Sequence, residues 1–163
     1  MRSSSRIVVA LAGTLMLGTL PAVAEEAGSQ AAYRDIEQTL GGVPTFFRAF
    51  PEAGIGGAWN EFKSVQLNPK TALSGKTKEL IGLAVAAQVP CAYCVYFHTA
   101  AAKLNGANDE EIREAVAMAA ITRHWSTVLN GMQIDPAAFK AETDAALTFA
   151  GEKAKGAASR TTH

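Results

Sequence analysis

The chain has 163 residues, of which 48% are hydrophobic and 18% charged, with 15 basic and 15 acidic side chains. That apolar content and the zero net charge exclude an intrinsically disordered chain, and there is no overall basic field to draw in nucleic acid. Two cysteines are too few to build a disulfide-stapled scaffold.

The first segment reads as an address rather than as fold. Arg2 and Arg6 flank a serine run, and residues 7–20 are then apolar apart from glycine and threonine. Pro21 breaks the run, and Ala22-Val23-Ala24 precedes Glu25-Glu26. A basic start, a short apolar stretch and a small-x-small site are the pattern of a secretory signal peptide, here cleaved after Ala24. The apolar stretch is 14 residues long, and a membrane-spanning helix needs about 20, so an uncleaved anchor is the lesser alternative. The arginines are not adjacent and no cysteine lies near the cleavage point, which argues against a twin-arginine signal and a lipid anchor. Removal of residues 1–24 takes away two arginines and no acids. It leaves 139 residues with 13 basic and 15 acidic side chains, a net charge of −2. Residues 25–151 are enough for one domain with its own core, expected in the periplasm or secreted, where a close cysteine pair tends to be oxidised.

Helical punctuation follows in order. Ala31 to Leu40 is a short helical pattern stopped by Gly41-Gly42, and Val43-Pro44 leads into Thr45–Phe50 with Pro51 behind it. Glu52 to Leu67 carries Ile55, Trp59, Phe62 and Val65 near helical spacing, and Asn68-Pro69 marks a loop. Ser74 is the expected N-cap of a largely buried, alanine-rich helix from Gly75 to Gln88. Val89-Pro90 ends it, and Pro90 suits the first turn of a helix from Cys91 to Leu104, closed at Asn105-Gly106. Asn108 with Glu111 three residues on forms the pattern of a capping box, opening a helix that runs to about Leu129 and closes at Asn130-Gly131. Asp135-Pro136 opens a last helix ending near Gly151. Residues 152–163, rich in Lys, Gly, Ser and Thr, are expected to be a flexible tail. No segment alternates with period two, so the expected fold is all-α, a single-domain bundle of about six helices.

The chemistry concentrates in Cys91-Ala-Tyr-Cys94-Val-Tyr-Phe-His98. On a helix these three side chains share an arc of about 60°, and cysteines three apart bring their sulfurs within bonding reach. A helix start favours thiolate, which singles out Cys91; His98, one turn beyond Cys94, is placed to take that thiol's proton. The thiolate is the species that attacks a peroxide or a disulfide. Glu79 lies in the apolar run before these residues, and a carboxylate there needs a partner. Cys94 and His98 are one candidate pairing, Lys76 or Lys78 on its own helix another. A purely structural disulfide remains open for the cysteines, as does zinc held by Cys91, Cys94, His98 and Glu79. Phe46, Phe47, Phe50 and Trp59 are expected in the core, and His124 beside Trp125 at a structural position or a subunit contact.

Lys78-Glu79-Leu80-Ile81, then Cys91-x-x-Cys94-x-x-x-His98, then Asn105-Gly106-Ala107 resembles the alkylhydroperoxidase D-like branch of the carboxymuconolactone decarboxylase superfamily, with eleven residues between the glutamate and the first cysteine. Leu40-Gly41-Gly42-Val43-Pro44 and Trp59 are similar to the region that precedes this motif in the family. The resemblance runs from about Tyr33 to Gly131. It implies an all-α domain assembled as homotrimers or homohexamers and a thiol peroxidase or disulfide reductase chemistry. In that chemistry Glu79 and His98 relay a proton to Cys94, and Cys91 completes the disulfide. It implies a hydroperoxide substrate and an external dithiol reductant, with no cofactor, no metal, no nucleic acid and no membrane anchor. Helix position favours Cys91 as the attacking thiol and the His98 spacing favours Cys94. One residue departs from the branch: its frequent histidine before the second cysteine is here Tyr93, whose hydroxyl is no base near neutral pH. A lactone decarboxylase of the same superfamily, which does not use the cysteine pair, and a non-catalytic periplasmic oligomer are the alternative readings.

Overall fold

A computed structural model describes residues 20–160, so the first 19 residues of the expected signal peptide lie outside the described region. Every regular element among the described residues is helical: α1 (Leu20–Leu40), α2 (Thr45–Arg48), α3 (Glu52–Glu61) running on into a π-helical turn (Phe62–Gln66), α4 (Gly75–Gln88), α5 (Ala92–Leu104), α6 (Asp109–Gly131) and α7 (Pro136–Arg160). None of them is long and apolar enough to cross a membrane. The helices gather into two compact units, Met1–Lys70 and Thr71–His163.

In the first unit α1 packs on α3. Ser29, Ala32, Tyr33 and Ile36 are buried, a spacing of three, four and seven that places them on one face of α1. Ile55 and Trp59, a turn apart on α3, meet that face, and Val43, Phe47, Phe62 and Leu67 close around it. The aromatic rings meet edge-on, Phe47 against Trp59 at 5.5 Å and against Phe62 at 6.3 Å between centroids. The Trp59 indole cannot leave its N–H unpaired in such a core, and Nε1 donates to Asp35 Oδ2 at 2.6 Å. Lys63 then closes on Asp35 Oδ1 at 2.7 Å. Phe46 and Phe50 depart from the expected core: they are 65% and 46% exposed, Phe46 on the four-residue α2 and Phe50 beyond its end.

In the second unit α4 packs on both α5 and α6. Its cap is the expected one, with Ser74 Oγ accepting from the Thr77 N–H at 3.1 Å. Only a stripe of α4 is buried, Glu79, Leu83 and Ala86, whereas Ile81 and Val85 are about half exposed. This corrects the expectation of a largely buried helix; its partners cover one side only. Gly106 takes a left-handed φ of 84°, and the N–H of Ala107 returns to the Ala102 carbonyl at 2.9 Å, closing α5. The capping box forms in both directions: Asn108 Oδ1 accepts from the Glu111 N–H at 2.8 Å and Glu111 Oε2 accepts from the Asn108 N–H at 2.9 Å. Glu111 Oε1 also receives Lys76 Nζ at 2.7 Å, tying the start of α6 to α4.

Three helix ends differ from expectation. α1 is already helical at Leu20, well before Ala31, since alanines and glutamates between them are good helix formers. α6 runs through Gly131 to a cap at Met132, with Gln133 in the left-handed turn at φ 52°. α7 continues past Gly151 to Arg160, so the stretch expected to be a flexible tail is helical to that point. Lys153, Ala154, Lys155, Ala157 and Ala158 favour a helix enough to carry it across Gly151 and Gly156.

Candidate functional site

The hinge between α4 and α5 places the cysteines. Val89 caps α4, and the Cys91 N–H reaches back to the Ala86 carbonyl at 3.2 Å. Pro90 therefore stands between the helices and not in the first turn of α5, and Cys91 itself is the N-cap. Its extended backbone (φ −97°, ψ 99°) turns the side chain over the helix start, where Sγ accepts from the Cys94 N–H at 3.2 Å. Cys91 and Cys94 are joined in a disulfide, with their Cα atoms 5.3 Å apart. Both are partly exposed, so a thiol reagent or a partner dithiol has access to the bond.

His98 follows one turn after Cys94, on the same face of α5. Its Nδ1 lies 2.8 Å from Glu79 Oε2 on α4. The His98 side chain is 19% exposed and that of Glu79 only 4%, so the pair opens to solvent through the ring. Opposite an ionised carboxylate, which can only accept, Nδ1 carries the proton and Nε2 becomes the ring nitrogen that can take another. This is the arrangement in which a buried acid orients an imidazole. Lys76, one of the two rival partners for Glu79 on its own helix, is bound to Glu111. No three His, Cys, Asp or Glu side chains gather as a metal site among the described residues.

Of the sequence-derived candidates, Cys91 pairs with Cys94 and Glu79 with His98. Tyr93 and Tyr96 point outward, 89% and 79% exposed, as their angle from the cysteine arc requires. His124 is exposed and stacks edge-on with Trp125 at 5.3 Å. Two features escaped the sequence reading. One is the capping role of Cys91, which depends on the extended backbone that the structure gives this residue. The other is a groove of about 460 Å³ on the far side of α4 from Glu79, where Ile81, Val85 and Gln88 face Met118, Ala119 and Arg123 of α6. Its signal was the alanine-rich helix whose apolar residues run all round, more than one stripe can bury.

Comparison with known proteins agrees with the all-α fold. The model of the carboxymuconolactone decarboxylase family matches residues 53–135. The crystal structure of an alkylhydroperoxidase AhpD core from Rhodospirillum rubrum superposes with a TM-score of 0.59 at 28% identity, over 76% of this chain and 93% of that one. A protein of Paracoccus denitrificans, described as uncharacterized protein 4 in the cox locus, is 42% identical over 52 residues. That match takes in 32% of this chain and spans 47% of the Paracoccus protein's length.

Proposed function

Because the chain belongs to the carboxymuconolactone decarboxylase family, with an alkylhydroperoxidase D-like all-α fold, we propose that it is a thiol-dependent peroxidase working through a Cys91/Cys94 dithiol–disulfide cycle. The observation that carries this reading is the disulfide one helical turn from a histidine whose ring is held by a buried carboxylate. In the reduced protein His98 Nε2 takes the Cys94 proton, and the thiolate attacks the terminal oxygen of a hydroperoxide. The O–O bond breaks, the alkoxide leaves as alcohol with the proton returned from His98, and Cys94 becomes a sulfenic acid. The Cys91 thiol then attacks the Cys94 sulfur, its proton passing to the departing hydroxyl, so that the disulfide forms and water is released. An external dithiol attacks the disulfide, passes through a mixed disulfide and restores both thiols. Glu79 holds the imidazole in its orientation. Tyr93, fully outside this arc, supplies no base, so the relay runs through His98.

Export completes the reading. A signal peptide cleaved after Ala24 would spare the packing stripe of α1, whose described buried residues begin at Ser29. The reductant would then be a dithiol carrier of the periplasm or extracellular space. Assembly as a homotrimer or homohexamer would cover apolar residues that α4 and α6 leave exposed, among them Ile81, Val85, Met118 and Trp125.

The test is peroxide consumption with a small dithiol donor, comparing the wild-type protein with Cys94→Ser. Activity should fall to the level of the uncatalysed reaction in the variant. Equal rates would sink the enzymatic reading and favour a non-catalytic oligomer held by a structural disulfide.

A further inference from the structure

Gly82 lies three residues after Glu79, on the same side of α4. Its φ is not in the left-handed region that glycine favours, and alanine is the better residue for a helix interior. The space above it is what calls for glycine. A Cβ built on Gly82 would stand 2.3 Å from His98 Cε1, 2.5 Å from Nδ1 and 2.8 Å from Nε2. Non-bonded carbons touch at about 3.5–4.0 Å, so one methyl group would drive the ring back by roughly 1 Å. A displacement of that size disturbs the Nδ1 contact with Glu79, now 2.8 Å long. Gly57, by contrast, has nothing within 4 Å of the same added atom.

We propose that Gly82 is a positioning residue: the bare backbone of α4 at this point is the seat on which the His98 imidazole lies, and it holds Nδ1 on Glu79. The catalytic consequence rests on the proposed Glu79–His98 relay, whereas the seat itself is a matter of packing. Any side chain at position 82 uncouples the histidine from its carboxylate while leaving both residues in the chain. Misplacement by that distance is expected to cost on the order of a hundredfold in peroxide consumption.

The experiment reads the tautomer of His98 from its imidazole ¹⁵N shifts, at a pH where the ring is neutral, in wild-type, Gly82→Ala and Gly57→Ala proteins. The wild type and Gly57→Ala should hold the proton on Nδ1, and Gly82→Ala should lose that preference. A second measurement places Gly82→Ala in a His98→Ala background. There the ring is gone, and alanine should raise the unfolding midpoint, although it lowers it in the parent. If Gly82→Ala alone does not fold, the double variant should. An unchanged tautomer, an effect of the same sign in both backgrounds, or a double variant that also fails to fold would overturn the proposal. Peroxide consumption on the same proteins separates the two ideas. A wild type that consumes no peroxide, with the tautomer shifted in Gly82→Ala, sinks the peroxidase reading and leaves the seat standing; a wild type that consumes peroxide, with the tautomer unchanged in Gly82→Ala, does the opposite.

Discussion

The two units of the chain solve the problem of burial with different materials. Met1–Lys70 buries bulk: Tyr33, Ile36, Ile55 and Trp59 fill the space between α1 and α3, and a carboxylate at the edge answers the one indole N–H. Thr71–His163 buries mostly small residues, with Ala86, Ala102, Ala107 and Ala119 beside Leu83. It also encloses Glu79. Small side chains let helix backbones come close, which is how an imidazole on α5 reaches a carboxylate on α4. The larger apolar residues of α4 and α6 are left outside as a consequence. The first unit is built for cohesion, and the second gives up apolar burial to hold a polar pair beside a disulfide.

Reducing bulk should therefore injure the first unit most. Trp59→Ala leaves a cavity among Tyr33, Ile36 and Phe47 and releases the Asp35 contact, an expected loss of about 3–5 kcal/mol by denaturant unfolding. A loss under about 1 kcal/mol would mean that the aromatic cluster does not hold α1 to α3. The second unit should be injured by added volume instead. Ala102 is completely buried, and Ala102→Leu should cost about 1–3 kcal/mol through overpacking; a neutral result would show that α4 and α5 are not closely packed at that level.

The smallest effect concerns acid. Lys63 chiefly, and then the Trp59 indole, hold the Asp35 carboxyl below its usual range. In the second unit Lys76 does the same to Glu111, helped by the Asn108 N–H. A carboxyl lowered in the folded state binds fewer protons there than in the unfolded chain. Its contribution is present above about pH 4 and is lost as pH falls through the lowered folded value. Both groups are substantially solvated, so the contribution of each is modest. Lys63→Met and Lys76→Met should each flatten the acid limb of the unfolding midpoint plotted against pH. An acid limb of unchanged slope would show that these pairs play no part in acid stability.

Much of this architecture could be read in the sequence because the signals were local. Ser74, Asn108 with Glu111, and Gly106 cap their helices as their side chains or missing side chain dictate, and one helical period puts Cys91, Cys94 and His98 on a shared face. The Glu79–His98 contact was legible as a need, since a carboxylate in an apolar run requires a partner, and the structure identifies which partner. What could not be read depends on neighbours. Nothing local distinguishes Phe46 and Phe50 from Phe47, whose ring alone finds Trp59 and Phe62 to pack against. Glycine at position 82 looks like a weak spot in a helix until a ring from another helix is laid over it. The extra turns of α1 and α7 escaped notice because single glycines and short polar stretches reduce helix propensity without ending a helix.

Cys91 begins α5 with the same sulfur that closes the disulfide. The position of a helix start and the position of a reactive atom are thus set by one side chain, and the chain cannot move either without the other. An insertion or deletion in the linker before it would slide the register of His98 and the partner sulfur together, keeping their mutual spacing while carrying both away from Glu79. The outer faces of α4 and α6 carry no such double duty, and a side chain there can be replaced without disturbing the start of α5.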